Sequence, residues 1–224
     1  MQLDNHTIFQ LVNSVAFMVL FLTVHECAHA AVAYWLGDDT ASRQGRLTLD
    51  PTAHIDPVGT LLIPALNAAS PVPIIGWAKP VPTNPVNFTR TFRGKRVTMA
   101  AGSALVAVAG PLSNLLMALV LAVALGLSLR FAELSAPVFK MLQNGVYMNV
   151  GLAVFNILPV PPLDGSWVVR WLLPTRHRDT YEAYGRYGYL ALFGLVMFGG
   201  GILAYVFSPA HKAVVQFTAW VAGA

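Results

Sequence analysis

The chain is expected to fold as an α-helical polytopic membrane protein. About four to six transmembrane helices are expected, with a short strand-like, re-entrant segment between the first and second core helices. Three observations support this class. Hydrophobic residues make up 56% of the 224 residues and charged ones only 11%, against about 25% charged in ordinary globular domains. Mean hydropathy is +0.59. Long stretches with almost no charge recur, and the stretch 97–129 has none.

The elements follow in order. Ile8 to Leu36 is apolar enough for one long helix, and Gly37-Asp38-Asp39 ends it. Ala41 to Pro57 is polar and turn-rich, and within it Arg46-Leu47-Thr48-Leu49-Asp50 alternates like a short strand. Val58 to Ile75 is apolar but broken by Pro64, Asn67, Ser70, Pro71 and Pro73. About 20 clean residues are needed to cross a bilayer, so this stretch is expected to be re-entrant or to lie on the surface. Trp77 to Asn87 carries three prolines and is expected to be an extended loop, followed by the basic cluster Arg90, Arg93, Lys95 and Arg96. Val97–Leu129, Val138–Leu158 and Tyr187–Phe207 are the remaining expected spans, and His211–Ala224 is a candidate terminal amphipathic helix. The whole reads as one domain, 1–224, with a core over 8–170 and C-terminal helices over 171–224.

The net charge of +4 is modest, and its arginines and lysines gather in loops. That is a topology signal rather than a nucleic-acid footprint, and no nucleic-acid partner is expected. The single cysteine, Cys27, excludes an internal disulfide and a cysteine-rich metal site. The first residues lack a basic leader region, so the first apolar run is expected to be retained.

The chemistry-bearing stretch is His25-Glu26-Cys27-Ala28-His29. Residues four apart lie on one face of a helix, a turn apart, so His25 and His29 can share one metal ion. Glu26, beside them, can take a proton from a zinc-bound water. Ionisable groups at membrane depth are costly and mark function by default, which weighs against a structural role for all three. A catalytic zinc site wants a third protein ligand and an open position. Asp164 follows the proline-broken Pro159-Val160-Pro161-Pro162 and is a candidate, but it could equally cap the helix beginning at Gly165.

Three motifs together carry a resemblance: His25–His29, then Ala109-Gly110-Pro111-Leu112-Ser113-Asn114, then Asn156-Ile157-Leu158-Pro159 through Leu163-Asp164-Gly165. Each lies on or beside an apolar run, and in this order they resemble the site-2 protease family of intramembrane zinc metalloproteases. Gly45–Pro51, His54–Thr60 and Gly76–Pro82 are also similar to prokaryotic members. The resemblance implies His25, His29 and Asp164 as ligands of one zinc ion per chain, and Glu26 as general base. It implies Asn156 as a donor to the substrate backbone or developing oxyanion, against a helix-terminal hydrogen bond as the plain alternative. Gly110-Pro111 would bend its helix and let it approach the metal helix, with Asn114 satisfying freed backbone groups in a structural role. His54 is a loop histidine that would lie near the substrate entrance if it has a role.

The resemblance further implies regulated intramembrane proteolysis: hydrolysis of peptide bonds within or near transmembrane helices of membrane-anchored substrates. The implied partners are such a substrate, the lipid bilayer and a separate adaptor in place of the PDZ domain of some relatives. A metal transporter would need ligand clusters at successive depths, and only one is found. A non-catalytic scaffold would lack a ligand or the base, and none is missing. The basic 170–186 region assigns Asp164 to the cytoplasmic side of a prokaryotic inner membrane. The first helix must then end on that side as well, which requires that 58–75 does not fully cross. If 58–75 does cross, His25 and Asp164 fall nearer opposite faces.

Overall fold

A computed structural model describes residues 5–63, 66 and 77–223, with the side chains of 5–11 and 61 outside that description. Most of the expected re-entrant stretch 58–75, together with Gly76, therefore lies outside the described residues. Eight α-helices are seen among the described residues. They are α1 (Asn5–Leu36), α2 (Thr40–Arg43), α3 (Met99–Phe131), α4 (Ala136–Asn156), α5 (Gly165–Leu172), α6 (Thr175–Gly185), α7 (Gly188–Phe198) and α8 (Gly200–Ala222).

Helix α3 is the centre of the bundle, packed by α1, α4, α5 and α8. Its sequence explains that position. The buried face carries small residues a turn apart, among them Gly102, Ala107, Gly110, Ala118, Ala122 and Gly126, while Leu112, Leu115, Leu116 and Val120 point outward. Lipid tails are as apolar as leucine, so membrane helices associate through backbones that small residues let come close. Ala118 and Ala122 of α3 meet Val146 and Val150 of α4 and Val214 of α8 in one core cluster. A second cluster joins Ala33 and Leu36 of α1 to Val106 of α3 and to Phe88.

Val12–Leu36 of α1 and the whole of α3 are long and apolar enough to cross a membrane. Helices α7 and α8 meet that criterion only as a pair, bent by 85°. The expected continuous helix over Tyr187–Phe207 is thus broken at Gly199, where three consecutive glycines carry no side chain to hold a helix together. The separate helix expected from His211 is absent, because α8 runs unbroken from Gly200 through Pro209 to Ala222. Helix α4 has 21 residues, the length of a crossing, but carries Lys140, Gln143, Asn144, Asn149 and Asn156.

The segment between α1 and α3 differs most from expectation. Arg46–Asp50 forms no strand. The Arg46 side chain is buried and donates to the carbonyls of Lys79 and Pro80, and Thr48 O is held by the His54 ring, so local hydrogen bonds shape this stretch. The strand pair seen among the described residues is Thr91–Phe92 with Lys95–Arg96, an antiparallel hairpin whose turn holds Arg93 and Gly94 at positive φ. Asp50 and Asp56 cap short helical turns at Pro51–Ala53 and Pro57–Leu62.

The end of α1 is closed by Gly37 at φ +109°, a conformation that suits glycine. The freed Leu36 carbonyl accepts from the N–H groups of Thr89 and Arg90. Next to it Asp38 is buried and accepts from Thr40, from the Asn84 N–H and from the Asn87 amide, which ties α1 to the 84–87 turn. Burial pushes the Asp38 carboxyl up, but these hydrogen bonds outweigh it and hold it below the ordinary carboxylate range. A carboxylate with a lowered folded pKa stabilises the fold above its unfolded pKa, and that stabilisation is lost as pH falls through the folded value. Thermal unfolding in detergent should therefore show stability falling as pH drops below about 4. Asp38→Asn should lower stability at neutral pH by about 1–3 kcal/mol and flatten that acid-side loss.

Candidate metal centre

Helix α1 places His25 and His29 on one face, both buried against α3. His25 Nδ1 lies 2.6 Å from Asn114 Oδ1, and His29 Nδ1 lies 2.7 Å from the Val106 carbonyl oxygen. Both partners are acceptors, so each Nδ1 carries the proton and donates. A neutral imidazole protonated there presents a bare lone pair at Nε2.

Asp164 arrives from the break between α4 and α5. It stands at the N-cap position of α5, yet its side chain makes no capping hydrogen bond. Instead Oδ2 lies 3.2 Å from His25 Nε2 and 3.4 Å from His29 Nε2, and the two Nε2 atoms are 3.0 Å apart. One donor atom from each of the three residues falls within 4.8 Å of the others. Asp164 Oδ2 is buried and has no hydrogen-bond partner. With both imidazoles neutral, three lone pairs converge with no proton between them, an arrangement that repels unless a cation fills it. Two imidazole nitrogens and one carboxylate oxygen form a donor set that suits zinc and leaves a fourth position open.

The space for that cation depends on Gly110. A Cβ there would stand 2.5 Å from His25 Nε2 and 2.5 Å from His29 Nε2. Helix α3 continues through Pro111, which has no N–H to give. The Ser113 hydroxyl donates to the Gly110 carbonyl at 2.7 Å, and Asn114, expected to satisfy freed backbone groups, has its side chain turned elsewhere. Asn114 instead faces His25, because its buried amide points across the helix interface rather than along its own backbone.

Glu26 follows His25 directly, and its Oε2 accepts the Val81 N–H at 3.0 Å. Val81 belongs to an extended stretch, 77–82, pinned along its length. The Lys79 N–H donates to His54 O at 3.0 Å, Trp77 N–H to Gly59 O at 3.2 Å, and the Thr60 hydroxyl to Trp77 O at 2.8 Å. His54 is buried with its Nε2 on Thr48 O at 3.0 Å, so it organises this loop and stands outside the cluster of metal-ligating atoms. Asn156 also stands outside that cluster, and its amide donates to Leu152 O at 2.9 Å within α4.

Three contacts were not read from the sequence: the Val106 carbonyl, the Val81 N–H and Asn149, whose Oδ1 accepts from Asn114 Nδ2 at 3.0 Å. The first two are backbone groups and carry no residue-type signal. Asn149 does, as a polar residue in an apolar helix.

A helical membrane bundle in which two histidines and an aspartate converge beside a glutamate belongs to the class of zinc metalloproteases. The model of Peptidase family M50 matches residues 131–199, which include Asp164. The chain is 38% identical over 202 residues to "Putative zinc metalloprotease YwhC" of Bacillus subtilis (strain 168), covering 88% of this chain and 84% of that one. It is 32% identical over 190 residues to "Putative zinc metalloprotease Rip2" of Mycobacterium tuberculosis (strain Erdman), covering 82% of this chain and 65% of that one. No solved structure matches it. The chain belongs to Peptidase family M50, the site-2 protease family, and is a membrane zinc metalloprotease.

Gly110→Ala should place a methyl group against both Nε2 atoms. Metal analysis of the purified variant should find far less than the roughly one zinc per chain expected of the native protein. Its helical content should stay unchanged.

Proposed function

We propose that this protease hydrolyses peptide bonds within or near transmembrane helices of membrane-anchored proteins. In this reading His25, His29 and Asp164 are the zinc ligands and Glu26 is the general base. The observation that carries it is that possible ligand atoms of His25, His29 and Asp164 lie within 4.8 Å of one another, the two histidines on the helix that also bears Glu26. Zinc held there supplies Lewis acidity, polarising a scissile carbonyl and acidifying water toward neutrality.

The chain's own residues do the rest. His25 and His29 are held in the ligating tautomer by acceptors at Nδ1, so no reorganisation is needed at the moment of reaction. Glu26 takes the proton of the attacking water and passes it to the leaving amine. The Val81 N–H steadies the Glu26 carboxylate and draws the 77–82 stretch over the metal helix. Asn156 gives one amide hydrogen to Leu152 O and keeps the second for an oxygen of the substrate backbone. A transmembrane helix hides its carbonyls in its own hydrogen bonds, so the substrate must unwind before attack. In this reading the site lies nearer the cytoplasmic face of a prokaryotic inner membrane, a side favoured by the basic residues Arg170, Arg176, Arg178 and Arg186 around and after Asp164.

The test compares the native chain with Glu26→Gln, measuring zinc content and cleavage of a membrane-helix substrate. Glu26→Gln should keep its zinc and lose about 10²–10⁴-fold in cleavage rate. Undiminished cleavage by that variant would remove Glu26 from the mechanism.

A further inference from the structure

We infer that Asn149 is a positioning residue for the zinc site, acting through Asn114 to fix which nitrogen of His25 carries the proton. The inference rests on the metal reading above, in which His25 ligates through Nε2.

Asn149 Nδ2 donates to the Gly145 carbonyl, one turn earlier in α4, at 2.9 Å. A carbonyl oxygen only accepts, so the nitrogen end of the Asn149 amide must face it, and Oδ1 must face α3. Asn114 then has to present its own nitrogen there, and Nδ2 lies 3.0 Å from Asn149 Oδ1. That turns Asn114 Oδ1 toward α1, where it lies 2.6 Å from His25 Nδ1. This nitrogen must therefore hold the proton, and Nε2 stays bare. Each link has one donor and one acceptor. Rotating either amide by half a turn would set oxygen against oxygen or N–H against N–H.

Asn114 and Asn149 have no exposed surface, so water cannot stand in for a missing partner. The relay begins at a peptide carbonyl, which cannot rotate, and ends at an imidazole, which can exist in two tautomers. Without Asn149 the Asn114 amide has nothing to orient it. With its nitrogen toward His25 it would favour the tautomer protonated at Nε2, which cannot ligate a metal. A residue that merely joined α3 to α4 would have no such directional effect.

The test uses the full chain in detergent, with zinc affinity measured by chelator competition. Asn149→Leu should bind zinc about 10–100-fold more weakly while remaining monodisperse and helical. The double variant Asn114→Asp/Asn149→Leu supplies a carboxylate, which offers His25 an acceptor whichever way it turns. It should bind at least about tenfold more tightly than Asn149→Leu alone. Native affinity in Asn149→Leu, or no recovery in the double variant, would overturn the inference. Should Asn149→Leu not fold, ¹⁵N NMR of histidine-labelled, zinc-stripped native protein decides, with His25 assigned by the signal missing in His25→Ala. The expected signature of the neutral ring is a protonated Nδ1 and a bare Nε2, and a neutral ring protonated at Nε2 alone would refute it. A native chain without zinc affinity would defeat the metal reading instead, while the NMR result would still judge the relay.

Discussion

Three lone pairs that face one another in a buried space must have a cation between them or move apart. His25 Nε2, His29 Nε2 and Asp164 Oδ2 are in that position, and much of the bundle serves to keep them there. Helix α1 supplies two of them from adjacent turns. The third comes from the break after α4, where α5 packs against the central helix and so brings Asp164 to the same place. Helix α3 packs against both α1 and α5, and at Gly110 it has no side chain to occupy the space the ion needs.

The same constraint explains why a protein so apolar spends polar residues inside. Asn114 and Asn149 are fully buried, and each partners a buried donor or acceptor. A metal ligand in an apolar bundle needs its second nitrogen satisfied, since no water is there to do it. Polar groups then have to be supplied in chains that end on backbone. Both histidines follow this rule: His29 reaches a carbonyl directly, and His25 reaches one through two asparagine amides.

Glu26 is treated differently from the ligands. It stands at the edge of the cluster and its carboxylate takes a backbone N–H from the 77–82 stretch, which is itself pinned to the 46–60 loop by Arg46, His54 and Thr60. The loops between α1 and α3 therefore belong to the site. Their hydrogen bonds also tie buried Asp38, just past the end of α1, to the 84–87 turn.

The sequence by itself determined the membrane class, the two long apolar helices α1 and α3, and the histidine pair able to share a metal ion. These follow from composition and from the helical period, which are local properties. It left Asp164 open between ligand and helix cap, because that choice depends on whether α1 stands across from the α5 N-terminus. It read a strand at Arg46–Asp50 from alternation alone, whereas a buried arginine reaching two distant carbonyls gave that segment its shape. It read one span over Tyr187–Phe207, loosened by Gly199-Gly200-Gly201, and the chain breaks at the first of these glycines into two helices bent by 85°. Only the tertiary structure decided the partners of each imidazole Nδ1. Tautomer and amide orientation are set by donors and acceptors contributed from other helices, and no pattern along one segment encodes which helix will lie beside it.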